Sequence, residues 1–219
     1  MSAQGTLRIV VVGAGGHGKV IISMLQRGDA YSVCGYVDPT DSGPVLDVPH
    51  LGDDSMLAEI AQKCGNAVIG VGSLGDVRAR VAAFERCRAA GFDMPAITAP
   101  TAVSGHHVAI GDGTVLMDGV VVQPGTQIGH CAILNTRSSI DHDCRIGDFA
   151  HIAPGATLSG EATIGDRAHV GTGATIIQGI RVGERCIIGA GAVVVEDCEA
   201  GQTYTGVPAT RHEPSRNSK

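Results

Sequence analysis

Residues 146–170 read IGDFAHIAPGATLSGEATIGDRAHV. Every sixth residue there is aliphatic (Ile146, Ile152, Leu158, Ile164, Val170), and four places after each stands an alanine (Ala150, Ala156, Ala162, Ala168, Ala174). The rule runs back through Ile140, Leu134, Ile128, Val122 and Leu116 to Ile110, and forward through Ile176, Val182 and Ile188 to Val194, with no insertion. Outside the quoted stretch the second series is small or modest: Thr114, Val120, Thr126, Ala132, Ser138, Cys144, Ile180, Cys186, Ala192 and Cys198. A sustained repeat outranks local propensity when a fold is read. One aliphatic and one small inward position in every six residues suits a parallel β-helix whose faces are single hexapeptides. Ile110, Ile128, Ile146, Ile164 and Val182 are each followed directly by glycine, so one corner recurs every 18 residues and the prism has three sides. Glycine is expected at that corner for backbone angles that other residues avoid. Five coils at a strand spacing of about 4.8 Å make a prism roughly 24 Å tall.

Upstream of the repeat the period changes. Leu7–Val12 reads as a strand, Lys19–Arg27 as a helix ended by Gly28, and Val33–Val37 as a strand closing on Asp38-Pro39. Asp53 and Asp54 precede a helix over Met56–Lys63 that Gly65 ends, and Ala67–Val71 is a third strand. Val77, Val81, Phe84 and Cys87 form the apolar stripe of a helix over Asp76–Ala90, stopped by Gly91. This alternation predicts a small Rossmann-like parallel sheet with helices on both faces. It holds about half the units of a full dinucleotide-binding domain. The expected organisation is an α/β unit over 1–100 followed by a β-helix over 101–219 with a short C-terminal tail.

Composition agrees and excludes other classes. The chain of 219 residues carries 32 glycines, six aromatic residues and no tryptophan, yet aliphatic residues are plentiful and no Gly-X-Y period appears, which argues against disorder and collagen alike. A net charge of −6 with no run of Lys or Arg offers no footprint for nucleic acid. Met1–Arg8 has no apolar leader, and glycines or charges interrupt every apolar run well short of the ~20 residues of a membrane span. The expectation is a cytoplasmic protein. Seven scattered cysteines without a C-x-x-C read as reduced thiols rather than a disulfide framework or zinc site.

Two motifs carry chemistry. In Ile140-Asp141-His142-Asp143-Cys144 the outer two residues fill the inward positions, so His142 points away from the core. A histidine of ordinary pKa near 6.5 takes a proton at neutral pH, and an adjoining carboxylate fixes its tautomer. Asp143 is the better candidate partner, Asp141 the alternative, and a solvated Asp-His-Asp turn the plain reading. In the second, Gly13-Ala14-Gly15-Gly16-His17-Gly18 follows a strand and opens a helix, with Asp38 twenty residues beyond Gly18. Glycines let a backbone approach phosphate, a helix N-terminus favours anions, and the acid can bind a ribose hydroxyl. Taken literally the pattern predicts NAD; a tight strand-to-helix turn is the plain alternative. His151 and His169 stack one coil apart. Zinc takes three or four ligands and the column continues with Ile133 and Ile187, so no metal is expected and His169 reads as a surface ladder residue. His106, His107 and His130 read as surface residues.

The hexapeptide run resembles the left-handed β-helix acyltransferases, which assemble as homotrimers with acyl-CoA in a cleft between prisms. Asn135-Thr136, Ile140-Asp141-His142-Asp143 and Ile146-Gly147-Asp148-Phe149-Ala150-His151 resemble the N-acetyltransferases of nucleotide-linked 4-amino sugars, the bacillosamine and sialic-acid O-acetyltransferase type, whose bacillosamine members carry Glu at positions matching Asp141 and Asp143. The resemblance implies acetyl-CoA as co-substrate and a nucleotide-linked 4-amino-4,6-dideoxy sugar, GDP-perosamine foremost, as acceptor. It implies His142 as base with Asp143 raising its basicity. Acetyl-CoA would lie against His151, Thr172, Gly173 and Ala190. Gly15, Gly16, His17, the Asp38-Pro39 turn and Gly72 would hold the nucleotide-sugar. Gly206-Val207-Pro208-Ala209 resembles the family's ending near the CoA tail, where Arg211 could meet a phosphate. A sialic-acid O-acetyltransferase and an NAD-binding sensor or scaffold are the competing readings.

Overall fold

The computed structural model describes residues 6–212, and the expectations for the first five residues and for the tail beyond His212 lie outside them. The chain divides into two compact units between Pro100 and Thr101.

In the first unit Leu7–Val12 (β1), Gly16–Gln26 (α1), Tyr31–Val37 (β2), Leu57–Cys64 (α2), Asn66–Ile69 (β3) and Arg78–Ala89 (α3) follow one another. The three strands form a parallel sheet in the order β2-β1-β3. Ile9–Val12 is buried end to end, as a central parallel strand must be. Because the strands run the same way, the loops after β1, β2 and β3 all leave one edge of the sheet.

Several boundaries differ from the sequence reading, each for a local reason. α1 begins at Gly16 rather than Lys19, since Lys19 N–H already donates to the Gly15 carbonyl (2.9 Å). Gly65 (φ 77°) and Gly91 (φ 90°) close their helices in the left-handed region. Gly28 does not, because α1 ends on Arg27 in an ordinary helical conformation. A 3₁₀ turn, Asp54–Met56, precedes α2, with Asp53 accepting the Ser55 N–H. α3 buries Arg80, Ala83 and Cys87, with Val77 buried just before it, while Val81 and Phe84 are only half-buried. The stripe is turned because Arg80 donates to the carbonyls of Ile69 (3.0 Å) and Val71 (2.8 Å) where β3 ends.

The second unit is a three-faced parallel β-helix of two-residue strands. His151↔His169, Ser139↔Thr157 and Arg145↔Thr163 show the 18-residue register on its three faces. The repeat already holds one hexad before Ile110, for Val103–Ser104 pairs with Val121–Val122. Leu116 to Val194 of the aliphatic series are buried, and the inward residues from Thr114 to Cys198 are buried apart from a half-buried Ile180.

The expected reason for the recurrent corner glycines is wrong. None of Gly111, Gly129, Gly147, Gly165 and Gly183 has a left-handed φ. Each instead lies against the next coil: an added Cβ would sit 2.6 Å from Asp166 N at Gly147, 2.5 Å from Glu184 N at Gly165 and 2.5 Å from Ala200 N at Gly183. The stacking is tight because side chains bridge it. Asp148 accepts the His130 N–H (2.7 Å), Asp166 accepts the Asp148 N–H (2.9 Å), and His130 Nδ1 accepts the Asp112 N–H (3.1 Å). The left-handed angles fall two residues later, at every sixth position from 107 to 191. Glycine occupies seven of these; the other eight are His107, Cys131, Arg137, Asp143, Phe149, Glu161, Arg167 and Arg185.

Candidate active site

The His142 turn is made by the coil itself. Ile140 and Cys144 are fully buried, so the three residues between them arch outward. Asp143 takes φ 56° at a left-handed corner, which swings its short side chain back to the imidazole: Oδ2 lies 2.9 Å from His142 Nδ1. Asp141 is otherwise engaged, its Oδ1 accepting the His142 N–H at 2.7 Å. A carboxylate only accepts, so Nδ1 carries the hydrogen and Nε2 is left with a lone pair. The imidazole pKa is held above its ordinary value, chiefly by the Asp143 hydrogen bond, with the charges of Asp141, Asp143 and Glu161 adding and partial desolvation opposing. At 47% side-chain exposure for His142, the dyad faces solvent.

Beneath the turn, Thr126 Oγ1 donates to the Asp141 carbonyl (3.0 Å) and accepts the Cys144 N–H (3.3 Å), pinning both ends. The sequence reading took Thr126 only as a small inward residue. Hydroxyl residues in slots that later coils give to alanine were the available signal, and Thr114 makes the same bridge between Gly129 and Ala132.

On another face His151 is buried, with its ring edge-on to His169 at 4.9 Å between centroids. Asn135 Oδ1 accepts the Thr136 N–H, so Nδ2 donates to His151 Nε2 (3.1 Å). His169 stacks in the ladder as expected but is half-buried: its Nδ1 is enclosed without a hydrogen-bond partner among the described residues, and burial lowers its pKa. Thr172, Gly173 and Ala190 are exposed at successive turns, linked by Gly191 N–H donating to Thr172 O (2.8 Å). Among the described residues the N–H groups of Thr172 and Ala190 donate to no protein acceptor.

In the first unit the glycine loop, the Asp38-Pro39 turn and Gly72 share the edge where the strands end. Gly18 and Gly70 are obligatory, since a Cβ on either would collide with the Gly13 carbonyl oxygen. Gly15 and Gly16 are exposed, with no atom within 4 Å of an added Cβ. Asp38 Oδ2 accepts the Ala14 N–H and Oδ1 the Thr40 N–H, both at 3.0 Å, so this carboxylate shapes the loop. His17 packs against Gly72, where an added Cβ would lie 3.2 Å from the His17 Cβ.

Residues 8–86 match the PglD N-terminal domain, and 161–196 match the bacterial transferase hexapeptide family. PerB of Caulobacter crescentus, solved with CoA and GDP-perosamine, superposes with a TM-score of 0.88 at 35% identity, over 96% of this chain and 99% of that one. The chain belongs to this family of hexapeptide-repeat aminosugar acetyltransferases. The acetyltransferase domain of PglB from Neisseria gonorrhoeae FA1090, solved with acetyl coenzyme A, matches with a TM-score of 0.88 at 36% identity, over 95% of this chain and all of that one. A curated relative, GDP-perosamine N-acetyltransferase of Escherichia coli O157:H7, is 39% identical over 57 residues, which span 26% of each chain.

Within this acetyltransferase, no group of three or more His, Cys, Asp or Glu among the described residues is placed to hold a metal. No helix among them is long and apolar enough to cross a membrane. Arg211, expected near a CoA phosphate, lies 3.4 Å from Glu199 in an exposed pair. The Gly206–Ala209 turn is tied to the prism by Ala209 N–H donating to Val193 O (2.7 Å).

Proposed function

We propose that this chain is a cytoplasmic N-acetyltransferase that moves the acetyl group of acetyl-CoA onto the 4-amino group of a nucleotide-linked 4-amino-4,6-dideoxy sugar, GDP-perosamine foremost. The observation that carries it is the His142–Asp143 pair, whose hydrogen bond leaves the Nε2 lone pair as the acceptor. The neutral amine attacks the thioester carbonyl, the C–N bond forms, and Nε2 takes the amine's proton. Collapse of the tetrahedral intermediate breaks the C–S bond, and the proton passes to the leaving thiolate. Asp143 stabilises the imidazolium between the two transfers.

His151, Thr172, Gly173 and Ala190 hold the donor, a role that the two uncommitted N–H groups and the open side of Gly173 support. Gly15, Gly16, His17, Asp38, Pro39 and Gly72 hold the nucleotide-sugar. The N-terminus of α1 favours an anion such as a diphosphate, and bare Gly15 and Gly16 leave room for one. The working unit is a homotrimer.

Thermal-shift measurement of the full chain tests the assignment, because a ligand that binds only the folded state raises the melting point. GDP-perosamine and CoA are each expected to raise it. A shift with NADH or sialic acid but none with GDP-linked or UDP-linked aminosugars would overturn the reading.

Activity requires neutral His142, so its raised pKa places the acid limb of the pH profile above the free-histidine value of ~6.5. Asp143→Ala removes the main cause of that rise. The acid limb of its residual activity is expected to move to lower pH, and an unmoved limb would dissociate the limb from this pair.

A further inference from the structure

We infer that Gly160, one coil beyond the catalytic turn, is a positioning residue for acetyl transfer: its bare backbone is the seat on which the His142 imidazole lies. The inference rests on His142 acting as the base.

Backbone conformation does not ask for glycine at 160, because its φ is not left-handed. The stacked column does not ask for it either: the equivalent positions on other coils are Pro124, His142 and Gln178. What glycine provides is space. An added Cβ would sit 2.5 Å from Nε2, 2.6 Å from Cε1 and 3.1 Å from Cδ2 of His142, and these are its three nearest atoms. This differs from the corner glycines, where the obstacles include the backbone of the next coil. The edge carrying Nε2 and Cε1 lies directly over Gly160, while Nδ1 reaches Asp143 on the same coil. On the preceding coil Gly125 receives the Asp143 carboxylate, against which a Cβ there would collide, although φ 79° asks for glycine at that site anyway. The charged groups around the imidazole are Asp141, Asp143 and Glu161.

A methyl group at 160 must therefore turn the ring, since an imidazole can swing outward where a stacked backbone cannot. The consequences differ from those of a structural glycine. Gly160→Ala is expected to lower kcat at least about tenfold through loss of an oriented base while leaving the KM values for acetyl-CoA and aminosugar nearly unchanged. The melting temperature should stay within about 2 °C of the parent, under 1 kcal/mol for a chain of this size. The His142 Cε1–H resonance, followed by NMR against pH, should titrate lower than in the parent and nearer the unperturbed value of ~6.5, because the Asp143 hydrogen bond is weakened.

A folded Gly160→Ala protein with parental kcat and an unmoved His142 titration would overturn the inference. So would a melting point lowered by more than about 5 °C, which would mark the contact as structural. His142→Asn, assayed alongside, separates this from the function itself: full activity there removes the base assignment, whereas the NMR titration still reports whether Gly160 seats the ring.

Discussion

His142→Ala is expected to lower kcat by at least about 10²-fold, the lower end of what a positioned general base contributes. At neutral pH a sugar amine is largely protonated, and its neutral form must shed a proton as it bonds to the thioester carbon. Without Nε2 that proton goes to water, a far weaker base. His142→Asn should lose as much, because its amide nitrogen has no basic lone pair. Neither change should unfold the prism. The turn is held by main-chain bonds independent of the imidazole, Asp143 N–H to Pro124 O (3.0 Å) and Glu161 N–H to His142 O (2.9 Å), and by the Thr126 bridge. Steady-state kinetics with saturating acetyl-CoA and GDP-perosamine is the measurement, with the melting curve recorded on the same sample. Turnover near the parent's in a folded His142→Ala protein would end the base mechanism.

Much of this site was legible because the repeat converts sequence spacing into direction. Once Ile140 and Cys144 are known to point inward, His142 must point outward, and no long-range information is needed. The choice between Asp141 and Asp143 was not legible in the same way. It follows from φ 56° at Asp143 and from the capture of Asp141 by a backbone N–H, which spacing alone does not report. Contacts between coils were hidden for a related reason. Thr126 and Gly160 act on residues 15 and 18 places away through one hydroxyl and one missing methyl group. In the α/β unit a charged Arg80 on the buried face of α3 defeated the apolar-stripe rule, because its Nη1 donates to two carbonyls at the end of β3, partners visible only after the sheet is built.

Gly147→Ala puts the revised account of the corner glycines to the test. If those glycines served left-handed angles, alanine there would cost ~1–2 kcal/mol, and so would alanine at Gly155, which does have φ 68°. Close stacking predicts unequal costs. At Gly155 an added Cβ meets nothing within 4 Å, so Gly155→Ala pays only for its backbone angle, about 1 kcal/mol. At Gly147 the new methyl meets the Asp166 amide nitrogen at 2.6 Å and the Gly165 carbonyl carbon at 2.8 Å, and collides with the Asp166 carboxylate that accepts the Asp148 N–H. Backbone cannot swing away as a side chain can, so the coils must part, and the parallel pairing of Arg145–Ile146 with Thr163–Ile164 directly before this corner is strained with them. Overpacking typically costs about 1–3 kcal/mol, and against rigid backbone the upper end is expected, about 3 kcal/mol, or roughly 6–12 °C of melting temperature in a chain of this length. Calorimetry of the two variants side by side decides the matter, and equal losses would restore the conformational explanation.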